Sequence, residues 1–188
     1  MHECKKSSTF VSKFSVMKVL VILTGGTISM VRDAATGSLH PADLQTFKAY
    51  VPEMFAGDNH VDMMPFEPLL DSSDLNPDSW RQMARMVQEH YNAYDGFVIL
   101  HGTDTMSYSA SALSFMLEHL RKPVVFTGSQ LPVGVLRSDA KENLLTAIEI
   151  AGAYDTNGKA IVPEVTVYMD GELYRGNRTT KRNAEHFS

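Results

Sequence analysis

Short apolar runs alternate along the chain with segments in which apolar residues recur every three or four positions. Five runs have the length of buried strands, and they cover Lys18–Leu23, Val61–Leu70, Gly96–Leu100, Pro123–Phe126 and Glu164–Met169. Strands that alternate with helical segments are typical of a parallel sheet covered by helices. The pattern therefore predicts an α/β fold with a mostly parallel sheet.

Three helices are predicted between these strands. The first begins at Asn76 with Pro77 in its first turn and ends before Gly96, because Asn is a good N-cap and proline fits the first helical position. The second is predicted over Thr105–Leu120 and the third from Ser138 to near Tyr154. Their expected inward residues are Ala110, Leu113 and Leu117 in the second helix, and Leu144, Leu145, Ile148 and Ala151 in the third.

Two segments fall outside this alternation. Residues 1–16 are polar, and we expect a disordered extension there, with Met17 as a plausible true start and residues 17–188 as one domain. Residues 31–40 follow a glycine-rich turn and show neither the helical nor the strand pattern of apolar residues, so we expect a mobile surface loop. Such loops beside strand ends often act as lids.

Composition narrows the functional classes. With 188 residues, 44% hydrophobic and 21% charged, the chain has the composition of a single globular domain. Seventeen basic against 22 acidic residues give a net charge of -5, which argues against a nucleic-acid partner. The run Val19–Leu23 is too short for a membrane span or a signal peptide. The only cysteine is Cys4, so the chain cannot form an internal disulfide.

Glycine-rich turns follow three of the predicted strands. They read Thr24-Gly25-Gly26-Thr27, His101-Gly102-Thr103-Asp104-Thr105 and Thr127-Gly128-Ser129-Gln130. One such turn is ordinary turn-and-cap chemistry, but ligands of open parallel sheets bind outside the carboxyl ends of the strands. Three turns on that edge predict a small polar cavity rich in backbone donors. The chain lacks the dinucleotide, P-loop and α/β-hydrolase nucleophile motifs.

The side chains near these turns restrict the chemistry. No histidine or cysteine spacing indicates a zinc site. His101 ends an apolar strand, so we favour a structural imidazole over a general base. The nucleophile would then be a threonine or a serine, and a lysine beside a carboxylate is a chemically sensible helper. Asp104 supplies such a carboxylate, and Lys181 follows the fifth strand.

The motifs, taken in order, resemble those of the bacterial-type L-asparaginase family, and of its cytoplasmic type I branch in particular. Five motifs between residues 17 and 188 carry this resemblance: Thr24-Gly25-Gly26-Thr27-Ile28, Asp71-Ser72-Ser73-Asp74, His101-Gly102-Thr103-Asp104-Thr105-Met106, Thr127-Gly128-Ser129-Gln130 and Arg178-Thr179-Thr180-Lys181. It implies a doubly wound, three-layer sheet with helices on both faces, as the larger N-terminal domain of a two-domain enzyme. In the full-length protein it implies a homodimer or a dimer of dimers in the cytoplasm.

The resemblance also implies roles for individual residues. Thr27 would attack the side-chain carboxamide of L-asparagine, and the second catalytic group would be Thr103, Asp104 and Lys181. Asp104 would also hold the substrate's α-ammonium, and Ser72 its α-carboxylate. The expected substrate-binding residues are Asp71, Ser72, Ser73, Gly102, Thr103 and Asp104. No metal or organic cofactor is implied.

The sequence departs from the family pattern in two places. Many members carry a tyrosine in the loop after the first strand, where this chain reads Gly37-Ser38-Leu39. Members also exceed three hundred residues and have a smaller C-terminal domain, so we expect that domain to be missing here. The alternatives are a glutaminase or glutamyl-tRNA amidotransferase, a non-catalytic amino-acid-binding module, and a nucleotide-binding domain with phosphate at Gly25-Gly26.

Overall fold

The computed structural model describes residues 16–33, 36–57 and 59–182. The disordered extension predicted for residues 1–16 lies outside these ranges except for the exposed Val16.

A six-stranded sheet organises the described chain. Its strands are β1 (Lys18–Gly25), β4 (His60–Leu70), β5 (Gly96–Leu100), β6 (Val124–Thr127), β7 (Val165–Met169) and β8 (Glu172–Arg175). They lie in the order β4-β1-β5-β6-β7-β8. All neighbouring pairs are parallel except β7 and β8, which form an antiparallel hairpin. The predicted mostly parallel sheet is confirmed.

Helices cover both faces of this sheet, because the buried strands are apolar on both sides. In the described ranges the α-helices are α1 (Leu44–Tyr50), α2 (Pro77–His90), α3 (Met106–Met116) and α4 (Ala140–Ala151). Successive side chains of a strand point to opposite faces, so Val19 and Val21 join the core that includes residues of α1 and α4. Leu20 and Ile22 join the core that includes residues of α2 and α3. This three-layer, doubly wound arrangement is the one implied by the resemblance.

The five predicted strands are present, with ends shifted by at most two residues. The first predicted helix begins where expected, but it ends at His90, several residues before Gly96. Asn76 caps α2 as expected: its side chain accepts from the N–H groups of Asp78 and Ser79, and the Ser79 hydroxyl accepts from the Asn76 N–H. This capping box fixes the start of the helix directly after the loop at the end of β4.

The other two helices are shorter than predicted. Helix α3 ends at Met116 rather than Leu120, and the chain turns at His119, which has a φ of 55°. Leu117, predicted to be buried within the helix, is a half-buried C-cap. Helix α4 ends at Ala151 rather than near Tyr154. Its N-cap is Asp139 rather than Ser138, although the Ser138 hydroxyl accepts from the Ala140 N–H.

The loop predicted at residues 31–40 has strands at both of its ends. Met30–Arg32 forms strand β2 and Leu39–Pro41 forms strand β3, which pair as an antiparallel hairpin. Strands of three residues are too short to show a period of two, so the pattern could not indicate them. Strand β8 (Glu172–Arg175) and helix α1 (Leu44–Tyr50) were not predicted, because they too are short. Within the described ranges, no helix has the length and apolarity needed to cross a bilayer.

Candidate active site

Three loops meet at the carboxyl edge of the sheet because β1 lies between β4 and β5. Leu23 of β1 pairs with Leu100 of β5, and Gly25 pairs with Leu70 of β4. The turns that follow these strands therefore start side by side. They carry the candidate nucleophile Thr27, the Asp71-Ser72-Ser73 loop, and the Gly102-Thr103-Asp104 segment.

Glycines bring the backbones of these loops into direct contact. Gly26 has a φ of 81°, and a Cβ at this position would overlap the backbone of Gly102. A Cβ at Gly102 would in turn overlap the side chain of Ser72. Only glycine leaves room for two neighbouring backbones at such positions. The first, second and third loops are thus packed as layers, with Gly102 in the middle.

The Asp71 loop is held in shape by its own hydrogen bonds. The Asp71 carboxylate accepts from the Ser73 N–H at 2.9 Å and from the Ser73 hydroxyl at 2.8 Å. The bond from the Ser73 N–H, and to a smaller extent the bond from its hydroxyl, lowers the pKa of Asp71, because both stabilise the charged carboxylate. Ser72 is buried, and its carbonyl accepts from the Thr105 hydroxyl at 2.6 Å. This loop is therefore tied to the segment that precedes α3.

Lys181 reaches the third loop from a distant part of the chain. Its Nζ donates to the Thr103 hydroxyl at 2.9 Å and to the Asp104 carboxylate at 2.8 Å. The Lys181 side chain is 9% exposed, whereas that of Asp104 is 70% exposed. The lysine therefore lies beneath the surface with its amine against a hydroxyl, and the carboxylate remains open to solvent.

The return of the chain toward the sheet places this lysine. After β8 a short 3₁₀ helix, Gly176–Arg178, packs against α3 and β7. A Cβ at Gly176 would lie about 3 Å from Ser114 and Val165, so glycine allows the close packing of this helix. The segment that ends in Lys181 thereby runs back to the third loop.

Thr27 stands at the start of a short 3₁₀ helix, Thr27–Ser29, and is half-buried. The turn around it is fixed from within: the Ser29 hydroxyl donates to the Gly26 carbonyl at 2.8 Å. Thr24 secures the base of the turn, because its hydroxyl donates to the Leu100 carbonyl of β5 at 2.8 Å. Thr27 therefore follows directly on the glycine that contacts the third loop.

His101 has the structural role that the sequence favoured. It is fully buried, with Nδ1 at 2.7 Å from the Gly102 carbonyl and Nε2 at 2.9 Å from the Ser109 hydroxyl. Burial lowers the pKa of His101 to about 4, because the imidazolium ion would lose its hydration. The neutral imidazole supports the loop from below.

The glycine turn that follows β6, Thr127-Gly128-Ser129-Gln130, packs against the third loop. A Cβ at Gly128 would overlap the His101 carbonyl, so this turn too abuts the third loop. Asp139 holds the following residues: its carboxylate accepts from the N–H groups of Gln130 and Leu131 and from the Asn143 side chain. The predicted juxtaposition of the three glycine turns is confirmed.

Sequence reasoning assigned no role to Thr105, whose hydroxyl joins two of the loops. Its place directly after Asp104, at the cap position of α3, was the available signal, because hydroxyl residues at caps commonly bond nearby backbone. Among the residues that the structure describes, no group of three or more histidine, cysteine, aspartate or glutamate residues could hold a metal ion.

Comparison with known proteins places this chain in a family. A family model described as "Asparaginase, N-terminal" matches residues 18–188. The chain is 48% identical to L-asparaginase 1 of Escherichia coli strain K12 over 175 residues, which cover 90% of this chain and 48% of that protein. It is 40% identical to the 60 kDa lysophospholipase of Mus musculus, with 91% of this chain and 33% of that protein covered.

A solved structure agrees. The crystal structure of L-asparaginase I from Vibrio cholerae superposes with a TM-score of 0.82 at 40% identity, covering 93% of this chain and 51% of that one. The chain thus spans about half the length of the asparaginases that it resembles. The fold, the ordered motifs and the match to the family model show that this chain belongs to the asparaginase family, whose N-terminal domain it contains.

Proposed function

We propose that this chain carries the N-terminal domain and most of the catalytic groups of an enzyme that hydrolyses L-asparagine to L-aspartate and ammonia. The observation that carries the proposal is the pair of hydrogen bonds from Lys181 to Thr103 and Asp104, which join residues 78 and 77 positions apart. The relative named L-asparaginase 1 supports the choice of substrate.

The substrate is a zwitterion, and the loops offer it groups of the right kind. The exposed carboxylate of Asp104 is a partner for the α-ammonium group. Ser72 and nearby backbone N–H groups are partners for the α-carboxylate. The bonds within the Asp71-Ser73 loop and the contact between Gly102 and Ser72 hold these groups in place before substrate arrives.

In the first chemical step, the Thr27 hydroxyl oxygen attacks the carbonyl carbon of the side-chain carboxamide. A new C–O bond forms, and the carbonyl electrons move to oxygen. As the tetrahedral intermediate collapses, the C–N bond breaks, and the nitrogen leaves as ammonia with the proton that the hydroxyl gives up. Backbone N–H groups of the glycine turns are suited to stabilise the oxyanion.

In the second step, water attacks the resulting ester. One proton of the water passes to a protein base, the bond from the ester carbon to the Thr27 oxygen breaks, and the threonine recovers its proton. Thr103, Lys181 and Asp104 form the group that moves protons in these steps. Lys181 can accept a proton only in its neutral form, and a hydroxyl at 2.9 Å and a carboxylate at 2.8 Å provide a short path for exchange.

This chain spans about half the length of the asparaginases that it resembles, and we propose that residues of the whole enzyme outside this segment complete the cavity. We propose for the whole protein a homodimer or a dimer of dimers located in the cytoplasm, as in the type I branch that the motifs resemble. The chemistry above requires no resident metal or organic cofactor.

Lys181→Met tests this proposal, because methionine keeps the length of the side chain but cannot exchange a proton. We expect ammonia release from L-asparagine by the full-length protein to fall by about 100-fold or more. Lys141→Met is the matched control: Lys141 forms an exposed ion pair with Glu53 and should leave the rate unchanged.

An acyl-enzyme intermediate also predicts that water and an added nucleophile compete for its ester bond. Hydroxylamine added to the assay should divert the ester to the hydroxamate of aspartate while ammonia release continues. A Lys181→Met protein as active as the Lys141→Met protein would contradict the proposed proton path. Ammonia release without any hydroxamate would contradict the ester intermediate.

A further inference from the structure

A buried chain of hydrogen bonds runs from helix α2 to the third loop of the site. The indole N–H of Trp80 lies 3.0 Å from the Ser109 hydroxyl, which lies 2.9 Å from Nε2 of His101. Nδ1 of His101 lies 2.7 Å from the carbonyl of Gly102. Ser109 and His101 are completely buried, and Trp80 is half-buried. These hydrogen bonds thus connect helix α2 to the backbone directly before Thr103.

The two ends of this chain fix the direction of every bond in it. An indole N–H can only donate, and a backbone carbonyl can only accept. Nδ1 of His101 must therefore carry the proton that it shares with Gly102. A buried imidazole is neutral, so Nε2 is an acceptor. The Ser109 hydroxyl must donate to Nε2, and it can do so while it accepts from Trp80.

The acceptor at the end of the chain lies at a critical place. The Gly102 carbonyl and the Thr103 N–H belong to one planar trans peptide and point in opposite directions. A carbonyl held toward His101 therefore directs the Thr103 N–H away from His101. Gly102 also touches both Gly26 and Ser72, so a rotation of this peptide would disturb all three loops at once.

We propose that His101, held as the Nδ1-protonated tautomer by the Ser109 hydroxyl and the Gly102 carbonyl, is a positioning residue that sets the orientation of the Gly102–Thr103 peptide for catalysis. This inference rests on the proposed asparaginase function. It differs from a purely space-filling role because it requires a donor at the Nδ1 position and an acceptor at the Nε2 position.

Two substitutions separate these roles. In His101→Asn the side-chain amide N–H can occupy the position of Nδ1–H and still donate to Gly102. In His101→Gln the longer side chain carries its amide nearer the position of Nε2, and Gly102 loses its donor. Because small misplacements of catalytic groups can cost about 100-fold in rate, we expect kcat of His101→Gln to fall by about that factor with little change in KM, while His101→Asn keeps most of its kcat.

Rates are compared per folded molecule, since both substitutions leave a smaller side chain in the core. His60→Gln, at an exposed histidine on β4, controls for the loss of a histidine and should match the unmutated protein. Equal losses of kcat in the asparagine and glutamine variants of His101 would overturn the inference, because a space-filling histidine predicts no rescue by a donor.

Nitrogen-15 NMR of the histidine side chains tests the tautomer without any turnover. We expect His101 to show a protonated Nδ1 and an unprotonated Nε2, and Ser109→Ala to weaken this preference, because Nε2 then loses the hydroxyl that donates to it. A protonated Nε2 in the unmutated protein would overturn the inference alone. An unmutated full-length protein that releases no ammonia would instead overturn the proposed function.

Discussion

The contact between Gly26 and Gly102 makes a sharp prediction about a single methyl group. Gly26 has φ 81° and ψ 177°, a region that is essentially restricted to glycine, and residues with side chains held there cost about 1–3 kcal/mol. The added Cβ of Gly26→Ala would also overlap the backbone of Gly102, which cannot rotate away as a side chain would. Overpacking of this kind costs a further 1–3 kcal/mol or so.

Together these effects predict that Gly26→Ala lowers the free energy of unfolding by roughly 2–6 kcal/mol. Gly158→Ala is the matched control, because Gly158 has a φ of 73° but no atom lies within 4 Å of the position of its Cβ. It should cost only about 1 kcal/mol, from the backbone conformation alone.

Urea unfolding followed by the fluorescence of Trp80, the chain's only tryptophan, measures both values. The difference between the two variants isolates the close approach of the loops at the site. If Gly26→Ala were no less stable than Gly158→Ala, the packing of the first loop against the third would be refuted.

Two further predictions concern the supports of the site. Asp139→Ala should lower the free energy of unfolding by about 2–3 kcal/mol, because it leaves the N–H groups of Gln130 and Leu131 without their acceptor. Urea titration measures this loss, and a loss no larger than that of Glu89→Ala, at an exposed position of α2, would contradict it. The second concerns the loss of stability in acid. Burial lowers the pKa of His101 from 6.5 to about 4, so the neutral imidazole contributes fully to the free energy of unfolding above pH 6.5. Roughly 3 kcal/mol of that free energy is lost as the pH falls from 6.5 to 4. His101→Asn should show a smaller loss over this range in parallel urea titrations, and an identical loss would refute the buried neutral imidazole.

The sheet and the start of α2 were predictable because their signals are local. Apolar runs mark the strands, and Asn76-Pro77 marks the helix start through capping chemistry that needs no tertiary partner. The hairpin β2-β3 was not predictable, since its strands have three residues each and are mostly exposed or half-buried. The early end of α3 also follows from tertiary geometry, because the chain must turn near His119 to enter β6.

The candidate site was predictable in part. Parallel strands bring their carboxyl ends to one edge, so the glycine turns could be expected to meet. The contact of Lys181 with Thr103 across 78 residues could not be read from spacing, and only the resemblance to a family indicated it. The direct contact of Gly26 with Gly102 and the hydrogen bond from Thr105 to Ser72 depend on the register of the strands, which the sequence pattern leaves open.

The central claim is that Thr27 is the nucleophile of an asparagine-hydrolysing enzyme, and one rate tests it most directly. Ammonia release from L-asparagine is measured for full-length Thr27→Ala and for Thr156→Ala, an exposed threonine in a turn between α4 and β7. We predict that Thr27→Ala loses about 1,000-fold or more, since no covalent route remains, while Thr156→Ala keeps the full rate. A Thr27→Ala protein within a few-fold of the unmutated rate would contradict the claim.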